Sequence, residues 1–187
     1  AGDAVILATG GRSLPKSGSD GHGYELAWQL GHTTTPRIFP GLVPLTLADG
    51  CFVRGLAGVT IETTLTLHAG TGKTLRAFRG STLCTHFGIT APPVLDISRY
   101  WLDAQHEDPA AHPCVDWLPE VGPLRIQEEL ATRASTPVGA VLRSRRPERL
   151  ADALCREAGI NRDHSFDRLA RESRRTLAKT VCSYRLP

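Results

Sequence analysis

The chain has 187 residues, of which 41% are hydrophobic and 22% charged, with a formal net charge of +3; this composition suits one or two globular domains and excludes a disordered chain. No stretch approaches the ~20 apolar residues of a membrane-spanning helix and no basic-then-apolar leader opens the sequence, so a cytoplasmic protein with no membrane partner is expected. The five cysteines are odd in number and contain no C-x-x-C pair, which argues against a zinc ribbon, a redox dithiol or a secreted disulfide framework.

In chain order, Val5-Ile6-Leu7-Ala8 predicts a buried strand over residues 3–8 that ends in a Thr9-Gly10-Gly11 turn. That strand begins almost at the first residue and the sequence contains no methionine, so an internal fragment is expected. Tyr24, Ala27, Trp28 and Gly31 recur at helical spacing, with Gly31 as the stop. From Pro36 to about Gly88 the period becomes two. Val59 to Leu67 alternates, a glycine turn follows, and Thr74 to Phe78 alternates again, which predicts a β-hairpin in a small antiparallel barrel or sandwich. Prolines at 36, 40 and 44 keep residues 37–47 near a sheet edge. Pro92-Pro93 opens a helix whose apolar stripe is Val94, Leu95, Ile97, Trp101 and Leu102. Residues 113–119 read as one more short strand bounded by prolines.

From Leu124 onward the text is helical, with breaks at Pro137, Pro147 and Gly159-Ile160-Asn161. Ser165 is the expected N-cap of the last helix, with Leu169, Leu177 and Val181 on its buried side. Residues 125–187 carry fourteen Lys and Arg against eight Asp and Glu, whereas residues 1–124 carry eight against eleven. Two modules of different character fit that asymmetry.

Small residues at a strand end let a bulky ligand approach the backbone, and the carboxyl ends of strands are where open α/β sheets bind ligands; this singles out Ala8, Thr9, Gly10 and Gly11. The adjoining loop, with Gly18, Gly21 and Gly23 just before a helix, can aim amide groups at a polar ligand. Gly70-Thr71-Gly72-Lys73-Thr74 ends like a phosphate-binding loop, but Leu67 stands where the first glycine is needed and strand-like flanks surround it, so a β-turn is expected. Cys84 and His86 would share a strand face without further ligands at metal spacing, and a packed histidine is expected. Arg143, Arg145, Arg146 and Arg149, and later Arg171, Arg174 and Arg175, are interleaved with Glu148, Asp152, Glu157 and Glu172. That pattern is expected of a solvated helix surface and argues against a nucleic-acid partner.

The runs VILATGGRSLPKSGSDGHGYELAWQLGH, PRIFPGLVPLTL and STLCTHFGITAPPVLDISRY resemble successive blocks of the aminoacetone-oxidase-like bacterial FAD-dependent oxidoreductases. The resemblance implies an α+β chain: a remnant of a Rossmann-like FAD-binding domain at 1–35, an inserted antiparallel β-barrel at 36–122 with one helix near 92–105, and a helical insert at 123–187. It implies bound FAD, a small-molecule substrate with an amine among the candidates, and NAD(P)H as a candidate electron partner. Ala8, Thr9, Gly10 and Gly11 would line the FAD, Gly18, Gly21 and Gly23 would shape the loop beside it, and Thr85 and Gly88 belong to the block that passes near the flavin. Two departures stand out. His22 replaces a frequent acidic residue, and Thr90-Ala91 replaces a Ser-Gly pair, which removes backbone freedom. The G-x-G-x-x-G turn that cradles the FAD pyrophosphate is absent, so N- and C-terminal FAD-domain segments are expected outside this sequence, and the isolated chain is expected to bind FAD weakly. The alternative is a non-catalytic product of a truncated gene that acts as a folding or interaction module.

Overall fold

A computed structural model describes residues 2–187, apart from the side chain of Pro123. Its centre is a six-stranded, wholly antiparallel sheet in the order β1-β4-β3-β2-β5-β6, curled into a half-barrel. Strands β2 (Thr60–His68) and β3 (Thr74–Cys84) form the expected hairpin, with Leu65 opposite Phe78. Alternation decides which face is buried: Ile61, Thr63, Leu65 and Leu67 point inward while Thr60 and Glu62 face solvent. Gly70 to Lys73 make a turn, as expected, in which the Gly72 amide donates to the Ala69 carbonyl (2.8 Å) and the Ala69 amide to the Lys73 carbonyl (2.9 Å). One polar pair is enclosed in this hairpin. The Thr63 and Thr82 hydroxyls lie 2.7 Å apart, both fully buried.

Strand β1 (Leu45–Thr46) lies at one sheet edge beside β4 (Gly88–Thr90), which agrees with the proline spacing. Helix α2 (Pro92–Glu107) packs on β3 and β2, burying Val94, Ile97 and Ser98, with its two prolines in the first turn where no amide partner is lost. Strand β5 (His112–Asp116) pairs with β2 on the other side.

The C-terminal half contains α3 (Pro123–Thr132), α4 (Val138–Arg143), α5 (Glu148–Glu157) and α6 (Arg171–Cys182). Their apolar stripes, among them Ile126, Leu130, Leu142, Leu150, Leu154 and Leu177, join the barrel residues in one continuous core. After α6 the chain returns to the sheet as β6 (Tyr184–Arg185), which pairs with β5. No local pattern announces a two-residue strand. Ser165 caps only a single 3-10 turn (Phe166–Arg168), and α6 begins later, after Ala170. The Ser165 hydroxyl is taken by Asp167 and does not reach a helix amide.

The Rossmann-like remnant is not seen. Residues 3–8 pair with no strand among the described residues, and Val5 and Ile6 are 85% and 89% exposed. An apolar run becomes a buried strand only when neighbours supply hydrogen bonds and cover its faces, and no neighbour does so here. Helix α1 (His22–Gln29) forms as expected and ends before Gly31, whose φ is +83°.

Candidate functional site

The N-terminal candidates fold against one another. Leu14 and Ser19 form an antiparallel bridge around a 3-10 turn (Pro15–Ser17), closed by Gly18 at φ +91° with its amide on the Pro15 carbonyl (3.0 Å). Asp20 accepts the His22 amide (3.0 Å), and the His22 Nδ1 lies 3.2 Å from Glu25 Oε2. Gly21, at φ +93°, is the N-cap of α1, and a Cβ there would meet the Arg12 side chain at 2.7 Å. A Cβ on Gly23 would meet Thr9 Oγ1 at 1.7 Å. The Thr9-Gly10-Gly11 turn therefore rests directly on the first turn of α1, with Gly10 beside Ser19 and Gly11 near the Tyr24 hydroxyl. Ala8, Thr9 and Gly10 present an exposed small-residue backbone, whereas Gly21 is buried. Gly21 and Gly23 permit the close packing, while Ala8 to Gly10 stay exposed and Gly11 is half-buried.

Thr85 and Gly88 form a second, separate turn. The Thr85 amide donates to the Gly88 carbonyl (2.7 Å), and the Thr85 hydroxyl accepts from the Gly88 amide (3.1 Å). Gly88 is required by a close approach, because a Cβ would lie 2.0 Å from the Leu45 carbonyl oxygen. Among the described residues no hydrogen bond joins this turn to the Ala8–Gly23 group. Just beyond it, Ala91 takes φ +92° and ψ 169° before Pro92. This is backbone space that belongs essentially to glycine, and here an alanine stands in it.

The other sequence candidates resolve into structural parts. Cys84 is fully buried and its thiol is pushed up to about 11, first by burial and then by Cys51, so it stays protonated. His86 is exposed on the turn rather than packed, edge-on to Phe87 at 5.1 Å; β3 ends at Cys84, so the strand alternation does not reach it. Among the described residues no group of three or more His, Cys, Asp or Glu is placed to hold a metal. Arg143 pairs with Asp152 (3.1 Å), Arg145 with Glu129 (2.8 Å) and Arg146 with Glu120 (2.7 Å), and Arg149 donates to the Gly55 carbonyl (2.9 Å). This group ties the helices to each other and to the barrel.

One further cluster has no local signature in the sequence. Cys51 Sγ lies 4.0 Å from the Tyr184 hydroxyl, which donates to Glu157 Oε1 (3.1 Å). Burial, followed by the charges of Cys51 and Glu157, raises the Tyr184 pKa. Cys51 also borders a concavity of about 470 Å³, together with Phe52, Arg54 and Arg156. Cys51 and Tyr184 are 133 residues apart, and the neighbouring Phe52 ring packs edge-on to Tyr184 at 5.0 Å.

Residues 39–186 match the family described as HI0933-like protein barrel and H2TH domain. The chain belongs to this HI0933-like family. It is a family of the FAD-dependent oxidoreductase superfamily, and its barrel corresponds to the curled sheet. Among its relatives, ribosomal RNA dihydrouridine synthase of Escherichia coli (strain K12) is 30% identical over 98% of this chain and 44% of its own length. The 3-dehydro-bile acid delta(4,6)-reductase of Clostridium scindens is 35% identical over 70% of this chain and 31% of its own. A Haemophilus influenzae protein, also named ribosomal RNA dihydrouridine synthase, is 38% identical over 52% of this chain and 23% of its own. The chain thus spans less than half the length of each of these relatives. Their names are those of a synthase of dihydrouridine and a reductase, so the narrower likeness to aminoacetone oxidases is not carried by them. No helix among the described residues is long and apolar enough to cross a membrane.

Proposed function

We propose that this chain forms the barrel and helical part of an FAD-dependent reductase that acts on ribosomal RNA uridine, with the rest of the FAD domain supplied by adjoining sequence. The observation that carries the reading is the alignment with the Escherichia coli relative, which runs through the N-terminal segment, barrel and helices alike, over 98% of the chain. The bile acid reductase aligns over 70%. Both names describe saturation of a carbon–carbon double bond conjugated to a carbonyl, a chemistry that a reduced flavin supplies by hydride transfer when bound. That common chemistry replaces the amine as the preferred substrate type.

The residues present fit such a cofactor. Ala8, Thr9 and Gly10 are small and exposed, and Gly10 has φ +75° with the Ser19 side chain beside it. Gly18, Gly21 and Gly23 hold the loop that shapes one wall. The exposed Val5, Ile6 and Leu7, with Leu14, Trp28 and Leu30 close by in sequence, fit a segment that completes its burial against further strands. Thr85 and Gly88 fix the turn that leads to Ala91 and α2, the second wall in this reading. NAD(P)H is the proposed source of electrons.

The test is to express the chain with its natural flanking sequence, reduce the purified protein, mix it with rRNA lacking the modification, and digest the RNA for dihydrouridine. Formation of dihydrouridine supports the reading. A flavoprotein that leaves the RNA unchanged and reduces a steroid dienone instead overturns the RNA assignment.

A further inference from the structure

The basic helical half contains two kinds of arginine. Arg143, Arg145, Arg146 and Arg162 sit in ion pairs, and Arg149 and Arg174 are committed to backbone carbonyls, Arg174 also lying 4.6 Å over the Phe166 ring. Arg171, Arg175 and Lys179 differ. All three are exposed, and among the described residues none has a carboxylate within ion-pair distance, a property they share with the exposed Arg125, Arg133, Arg156, Arg168 and Arg185; what sets them apart is their spacing on one helix. They follow one another at intervals of four on α6, so they share a face. Leu177 and Val181, on the far side of the helix, are buried, and Ala178 is buried at the edge of the stripe. Arg171 is the first residue of the helix, where a positive charge opposes the helix dipole, so helix stability does not explain it.

We propose that this α6 stripe is a docking surface for the phosphate backbone of RNA; the proposal rests on the ribosomal RNA reading above and adds to it the surface that holds the substrate. The stripe borders a groove of about 430 Å³ between α3 and α6, whose walls include Arg171, Arg174, Arg175 and Glu128. The acids close by are Glu128 in the groove, Glu172 on the helix and Asp167 just before it. They leave a net positive surface, which suits a polyanion held by charge with little base readout.

The experiment uses the 187-residue chain and a fluorescein-labelled RNA hairpin with a uridine-containing loop, titrated by anisotropy at several salt concentrations. Replacing all three residues (Arg171→Gln, Arg175→Gln, Lys179→Gln) is expected to flatten the log–log salt slope by about 2–3 and to weaken binding at low salt, as loss of three phosphate contacts requires. An equal-charge control on the far end of the barrel (Lys73→Gln, Arg76→Gln, Arg99→Gln) is expected to keep the wild-type slope. The single change Arg175→Gln should lower the slope by about 1 and guards against misfolding of the triple variant. Equal losses in stripe and control variants, or an unchanged slope in the stripe variant, would overturn the proposal. Tighter binding to an acidic peptide than to the hairpin would do the same. The two ideas fail separately. RNA held through the stripe without dihydrouridine formation by the flanked protein removes the reductase reading, and dihydrouridine formation indifferent to the stripe removes the docking surface.

Discussion

Replacing Ala91 by glycine tests the strain at the entrance to α2. Ala91 takes φ +92° and ψ 169°, and its carbonyl accepts the amides of Val94 and Leu95 at 3.0 and 3.1 Å, so the helix start holds the residue in place. Pro92 adds to this, because the residue before a proline is pushed away from helical backbone angles. A non-glycine residue in this region costs about 1–3 kcal/mol. Glycine removes that cost and adds about 0.5–1 kcal/mol of unfolded-state entropy, so Ala91→Gly should stabilise the chain by about 1 kcal/mol. With a urea m-value of about 2–3 kcal/mol/M, the midpoint should rise by about 0.3–0.5 M. Ala91→Val, which brings a β-branched side chain into the same backbone region, should lower it. Equilibrium urea unfolding followed by circular dichroism reads both changes. A midpoint that falls for Ala91→Gly would refute the strain argument, since nothing else in the local geometry favours the methyl group.

Thr82→Val leaves the buried Thr63 hydroxyl without its 2.7 Å partner and should cost about 1–3 kcal/mol, whereas the double change Thr63→Val/Thr82→Val should recover most of it; a double-mutant cycle in urea decides. Partial burial of Glu120 opposes its ionisation, but Arg146, its own backbone amide and Arg145 outweigh that and lower its pKa. A depressed carboxylate contributes stability above its unfolded value of about 4.3 and loses that contribution as pH falls through the folded value. Glu120→Gln should therefore be less stable than wild type at neutral pH, with the difference shrinking below about pH 4 when midpoints are measured across pH. Gly23→Ala places a Cβ 1.7 Å from Thr9 Oγ1 and should separate the Thr9–Gly11 turn from α1. Amide exchange should quicken over residues 9–24 while the barrel stays protected.

The sequence disclosed most where a period repeats. Alternation from Thr60 to Leu67 set both the strand and its buried face, and leucine and valine spacing placed α2 and the C-terminal helices. The turn at Gly70 to Lys73 was legible because its flanks alternate and no helix follows. Where burial depends on partners elsewhere, the same reasoning misplaced residues. Val5-Ile6-Leu7 has the composition of a core strand, but composition carries no information about whether neighbouring strands are present. Strand β6 has two residues and is created by its pairing with β5, so no local pattern exists to find. His86 lies one step beyond the end of the alternation, and Ser165 satisfies its hydroxyl on Asp167 before α6 begins. At Ala91, which stands where the resembling family has the glycine of a Ser-Gly pair, the backbone takes angles that belong essentially to glycine.

Hydrogen exchange on the chain expressed with its flanking sequence, compared with and without added FAD, decides whether residues 8–11 meet a flavin. FAD should slow exchange at residues 8–11 and in the adjoining glycine loop, with stoichiometric flavin retained after desalting. Stoichiometric flavin with unchanged exchange across residues 5–24, or a purified protein that retains no flavin at any FAD concentration, would contradict it.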